Sequence, residues 1–102
     1  MLAKTIGGRL GFGAVRLRKT ELEWREVDGE VLVFDARASR YFGLTSTGAL
    51  LWVLLSEGHD PDASAALLAE RTGMDGDRAR VEVARFLAWS EDQDLLVLDA
   101  AD

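Results

Sequence analysis

Residues 39–52 read SRYFGLTSTGALLW, and this stretch decides the fold. Tyr41, Phe42 and Leu44 favour an extended strand. Leu50, Leu51, Leu54 and Leu55 recur at i, i+1, i+4 and i+5, the stripe of a core-facing helix. Thr45 stands at the junction, where its hydroxyl can cap the helix N-terminus. A short strand therefore runs without slack into a helix. Nothing in the stretch is a catalytic motif, and the strand before the helix is the expected working edge of a small binding module.

N-terminal to it, Leu22 and Trp24 alternate with Glu21, Glu23 and Arg25, the period of a half-buried strand. Asp28-Gly29 then signals a two-residue hairpin, because both central positions of that turn want positive φ. The next strand, Glu30 to Phe34, is apolar from Val31 onward, which predicts cover on both faces. After a loop over Asp35 to Ala38, Ser39 to Leu44 forms the third strand. The three make an antiparallel meander whose last strand is an edge unless the N-terminal segment pairs with it.

The second half reads as three helices. The first covers about Ser46 to Glu57 and stops at Gly58. Asp60-Pro61 opens the second, an acid at the cap and proline where no N–H is needed. Leu67 and Leu68 face the core, and Gly73 ends that helix. Asp75 caps the third, about Gly76 to Asp92, and Leu95 to Leu98 packs back as an extended piece. The expected fold class is α+β, winged-helix-like, with a three-stranded antiparallel sheet placed before three helices. On the third helix Ala79, Val83, Phe86 and Leu87 share the docking face, while Val81, Ala84 and Ala88 fall nearly opposite. Small apolar residues there can line a shallow groove, although alanine is also simply a good helix former.

Composition narrows the function. A chain of 102 residues is one domain. Cysteine is absent and His59 is the one histidine, which excludes disulfides, thiol catalysis, cysteine zinc sites and histidine clusters. No cofactor or metal is expected. No apolar run approaches the roughly 20 residues of a membrane span, and a cytoplasmic location without membrane contact is expected. Lys4, Arg9, Arg16, Arg18 and Lys19 give residues 1–19 a charge of +5 with no acid, and the remainder carries −11. Residues 1–16, rich in glycine, read as a flexible basic tail, and 17–102 as the single domain. The head lacks the continuous apolar core and cleavage site of a signal peptide. The acidic body repels nucleic acid.

Several smaller features have plain accounts. His59 has no nucleophile or second ligand near it in sequence and reads as a surface residue. Glu91, Asp92 and Asp94 lack the spacing of a calcium loop and read as a solvated helix end. Gly11-Phe12-Gly13 follows no strand and precedes no Gly-Lys-Ser/Thr, so it is no phosphate loop. The three tryptophans read as core or rim. Arg78, Arg80 and Arg85 can face DNA phosphates in a helix-turn-helix protein, but Asp75, Asp77 and Glu82 cancel them.

Taken together, Leu17 to Trp52, the helix opened by Asp60-Pro61, and Arg80 to Leu96 (RVEVARFLAWSEDQDLL) resemble the PqqD-like family of leader-peptide recognition elements. The most telling parts are Tyr41, Leu44, Thr47, Gly48 and Ala49, then Glu82, Val83, Phe86 and Leu87, with Leu95-Leu96. The chain departs from the family at three points. Thr45 stands where asparagine is frequent, Ser90 where leucine is common and Asp94 where glycine is common. The last two put the core side of the third helix and its C-terminal turn in doubt.

The resemblance implies a non-catalytic protein that binds the leader region of a precursor peptide by strand addition. It then presents the peptide to a separate maturation enzyme: a radical enzyme, or the leader protease and cyclase of a lasso-peptide pathway, which the size and pattern favour. The leader-binding residues expected on that basis are Ser39, Arg40, Tyr41, Phe42 and Gly43 on the strand and Val81, Ala84, Arg85 and Ala88 on the helix. The competing readings are a winged-helix DNA-binding regulator, favoured by topology and opposed by charge, and a protein-interaction adaptor.

Overall fold

A computed structural model describes residues 15–98, with the chain order β1 (Val15–Leu17), β2 (Leu22–Val27), β3 (Glu30–Asp35), β4 (Arg40–Leu44), α1 (Ser46–Ser56), α2 (Pro61–Thr72), α3 (Gly76–Asp92) and β5 (Leu96–Leu98). The meander and the three helices stand where the sequence places them. Two short strands are additional. β1 pairs antiparallel with β5, Leu17 opposite Leu96, so among the described residues β1 joins β5 and not the meander. Val15 and Arg16, read from sequence as the end of a tail, thus belong to a sheet; residues 1–14 lie outside the described residues.

β2, β3 and β4 form one antiparallel sheet in that order. Asp28 (φ 54) and Gly29 (φ 82) both take the left-handed region that the two-residue turn demands. Register then follows: Val31 pairs with Glu26 and Leu44, Val33 with Trp24 and Phe42. Val31 and Val33 are fully buried beneath the helices, together with Leu51, Trp52 and Leu54 of α1, Leu68 of α2, and Ala79, Val83 and Leu87 of α3. The expectation that β3 is covered on both faces is not met. Among the described residues helices cover one face only, and Leu32 on the other is 47% exposed.

The helix boundaries have local causes. Asp60 accepts from the Ala63 N–H at 2.7 Å, with Pro61 opening α2, and Gly73 at φ 78 closes it. Asp75 accepts from the N–H groups of Asp77 and Arg78 at the start of α3. Thr45 occupies the cap position of α1, but its hydroxyl makes no capping bond. Ser46, at φ 52, turns the chain sharply into the helix, and the Thr45 carbonyl accepts from Gly48 N–H and Ala49 N–H instead.

Candidate functional site

The hydrogen-bond parity of the meander determines what β4 has left to offer. Across a two-residue turn the flanking pair, Val27 and Glu30, exchanges both backbone bonds, and every second residue repeats this. The Ala36 N–H donating to the Glu21 carbonyl at 2.9 Å continues that set. Glu30, Leu32 and Phe34 therefore bond to β2, and Val31, Val33 and Asp35 bond to Leu44, Phe42 and Arg40. The backbone groups of Tyr41 and Gly43 point the other way. Among the described residues no strand pairs with that side of β4, so two N–H and two C=O groups face an open edge.

Side chains of β4 alternate across the sheet. Phe42 turns toward α3 and meets Trp89 edge-on, ring centroids 5.3 Å apart; Trp89 in turn lies 5.9 Å from Phe86. Beside these rings Thr47, Gly48, Leu51, Glu82, Arg85 and Phe86 line a concavity of about 190 Å³ between the start of α1 and α3. The Phe42 and Trp89 rings join this concavity through Phe86, which makes a groove with an aromatic side, an acid and a base.

One end of the groove is tied by a buried ionic cluster. Asp35, 1% exposed, ends β3, and its Oδ1 accepts from Arg18 Nη2 at 2.9 Å and from the Arg37 N–H at 3.1 Å. Arg18 also donates to the Asp94 carbonyl (3.0 Å) and the Thr20 carbonyl (2.8 Å). Arg40 lies 3.5 Å from the other Asp35 oxygen, donates to the Gln93 side chain (2.7 Å) and carbonyl (3.1 Å), and covers the Phe42 ring at 5.0 Å. The hydrogen bond from Arg18 holds the Asp35 carboxyl below its ordinary range even though burial pushes the other way. One carboxylate and two arginines thereby fasten β1, β3, the start of β4 and the end of α3 to one another.

The expected site residues divide between two places. Arg40, Tyr41, Phe42 and Gly43 form β4 itself; Ser39, at φ 55, ends the loop that leads into it. Arg85 stands on the wall of the groove. Val81, Ala84 and Ala88 are exposed. At about 100° per residue they fall on the flank of α3 turned away from Glu82, Phe86 and Trp89. The sequence pattern pointed to small residues on the outer face, whereas the flank nearest β4 is aromatic and charged. Trp89 was the available signal: it stands three residues after Phe86, outside the Ala79–Val83–Leu87 stripe.

Two of the three cations proposed for DNA have partners on their own helix, Arg78 with Glu82 at 3.5 Å and Arg80 with Asp77. No group of metal-ligating side chains occurs among the described residues, and no helix among them is long and apolar enough to cross a membrane.

Comparison with known proteins agrees with the fold. The family model for coenzyme PQQ synthesis protein D (PqqD) matches residues 30–96, from the start of β3 to the start of β5. The chain belongs to the PqqD family. Two solved structures share the fold. TbiB1, in complex with the TbiA(beta) leader peptide, is 23% identical with a TM-score of 0.74 over 79% of this chain and 93% of its own. A lasso peptide synthetase B1 complexed with the leader peptide is 24% identical with a TM-score of 0.72, over 82% and 98%. No curated protein matches. The structure places two of the residues expected to depart from the family's pattern. Asp94 adopts φ 63, the left-handed conformation that glycine fits without strain, and Ser90 is wholly buried.

Proposed function

We propose that this PqqD-family chain binds the leader region of a precursor peptide as an added strand on β4 and hands it to a separate processing enzyme, in a lasso-type pathway of the cytoplasm. The single observation that carries the reading is the open edge at Tyr41 and Gly43 beside the Phe42–Trp89 groove. An incoming strand satisfies the unpaired N–H and C=O groups, and its side chains opposite Phe42 enter the groove. The leader-binding residues are then Ser39 to Gly43 with Arg85, and Glu82, Phe86 and Trp89 take the part first expected of Val81, Ala84 and Ala88. Leader complexes of both structural neighbours support the same use of the fold. The domain performs no chemistry of its own and needs no cofactor. The reading rests on backbone recognition, for which neither is required.

Gly43→Pro tests it. Proline is tolerated on an edge strand where the N–H faces outward, yet it removes one docking donor and places a ring against the incoming chain. Titrating a labelled leader of the cognate precursor should show at least about a tenfold loss, roughly 1.4 kcal/mol, at nearly unchanged thermal stability. Undiminished binding to a folded variant would exclude strand addition at β4. Mass spectrometry of precursor incubated with the purified protein alone should show no change.

A further inference from the structure

The uncovered face of the meander carries Leu32, Phe34 and Tyr41 together. Phe34 and Tyr41 pair across β3 and β4 with their rings 4.7 Å apart, and Tyr41 is 77% exposed. Leu32 pairs with Gly43, and a Cβ built on Gly43 would lie 4.0 Å from the Leu32 side chain. The patch therefore has a gap at Gly43, next to the open edge, floored by backbone and walled by Leu32 and Tyr41. Val27 extends it, with Glu23 and Arg25 at its rim. A contiguous exposed apolar patch on a small domain marks an interaction surface. This one also explains why the run Val31 to Phe34 is apolar at both parities when helices cover one face only.

We infer that this outer face is a second recognition surface for the same bound peptide, and that it selects a large apolar or aromatic residue opposite Gly43. The inference rests on strand addition at β4. Given that addition, parity leaves no freedom. Peptide residues opposite Arg40, Phe42 and Leu44 point toward α3, and those opposite Tyr41 and Gly43 point to the outer face. A side chain opposite a glycine in a neighbouring strand folds over the bare backbone, and here it also meets Leu32 and Tyr41. The peptide chosen is apolar at consecutive positions, on both of its faces, and not alternately apolar and polar.

A phage-displayed library of random peptides, selected on the wild-type protein, tests this whatever the sequence of the natural precursor. Selected peptides should carry large apolar residues at both parities. Replacing the outward residue of a selected peptide by serine should weaken binding about fivefold. Leu32→Ser and Tyr41→Ser, both at exposed positions, should produce the same loss and make it non-additive with the peptide change. Gly43→Ala, which has room for its methyl group, should shift the selection toward smaller outward residues. Selected peptides that respond to Gly43→Pro but show no outward apolar preference, or that bind Leu32→Ser and Tyr41→Ser within about twofold, would overturn the inference and leave strand addition standing. Selection of no peptide, or of peptides indifferent to Gly43→Pro, would mean that strand addition itself fails, and the inference with it.

Discussion

Replacing Asp35 by alanine should do more damage than any other single change at a polar residue of this domain. The carboxylate is 1% exposed and Arg18 is 5% exposed, so removing the acid strands a guanidinium in the interior. Breaking a buried pair in this way costs about 3–5 kcal/mol. Arg18 keeps its bonds to the carbonyls of Thr20 and Asp94, which favours the lower figure of roughly 3 kcal/mol. For a domain of this size, 1 kcal/mol shifts the melting temperature by about 4–8 °C, so the fall should be on the order of 12–24 °C. Urea denaturation followed by tryptophan fluorescence measures the free energy directly. Replacing both partners, Arg18→Met with Asp35→Leu, should recover most of the loss, because apolar pairs of similar size replace buried ion pairs at little cost. The pH dependence has a definite sign. Asp35 titrates lower in the folded state than its ordinary 3.8. Its contribution is therefore fully present above the unfolded value and is lost as pH falls through the folded one. Wild type should lose stability below about pH 4 more steeply than Asp35→Asn. A loss under about 1 kcal/mol for Asp35→Ala, below what a single buried hydrogen-bond deletion costs, would show that the cluster does not hold the sheet to α3.

Asp94→Gly should raise stability by up to about 1 kcal/mol in thermal melts, since glycine takes φ 63 without the Cβ clash that aspartate tolerates there. Ser90→Ala should add about 1 kcal/mol by the same measurement, because it removes a buried hydroxyl that has no hydrogen-bond partner. Trp89→Ala should weaken leader binding in fluorescence titration by more than about tenfold, as the loss of an aromatic anchor does. Arg85→Ala should cost under about 1 kcal/mol, the usual worth of an ion pair at a rim. Ala84→Trp and Ala88→Trp, on the far flank of α3, should bind leader within about twofold of wild type, a difference near 0.4 kcal/mol.

Much of this fold is written in local signals that act within a few residues. The Asp28-Gly29 turn, the Asp60-Pro61 start and the glycine at 73 each determine a boundary through backbone sterics, and all three stand where expected. The β1–β5 pairing was not legible in the same way. It joins Val15–Leu17 to Leu96–Leu98 from opposite ends of the chain, with three residues on each side and no turn between them. The Asp35 cluster was hidden for a related reason. Its members lie at 18, 35, 40 and 93–94, and nothing in the sequence around any one of them requires the others. On α3 the periodicity correctly separated the docking face from the rest, but it assigns residues only to the helix and not to the strand beside it. Which of the two remaining flanks lies against β4 is a matter of tertiary packing, and the packing chose Trp89 over Ala88.

An open edge strand carries a risk, because the same unpaired groups that receive a peptide also recruit another copy of the chain. Two features of β4 bear on this. The strand is only five residues long, from Arg40 to Leu44, which limits how many backbone bonds a second copy can form. Arg40 is also held at its start by Asp35 and Gln93, with the Phe42 ring beneath it. That arrangement ties the start of β4 to the C-terminal end of α3, while Glu82 and Arg85 line the groove near the start of α1. A partner that fits must be short, extended and able to use the groove and the outer face together. Selectivity for a peptide over self-association then comes from the side chains on either side of β4, while the backbone supplies adhesion common to both. Loss of the Asp35–Arg40 tie should therefore loosen this discrimination, and Asp35→Ala, studied where it remains folded, should dimerise through β4 in sedimentation experiments more readily than wild type. An Asp35→Ala protein that stays monomeric at every concentration tested would place the barrier to self-association elsewhere.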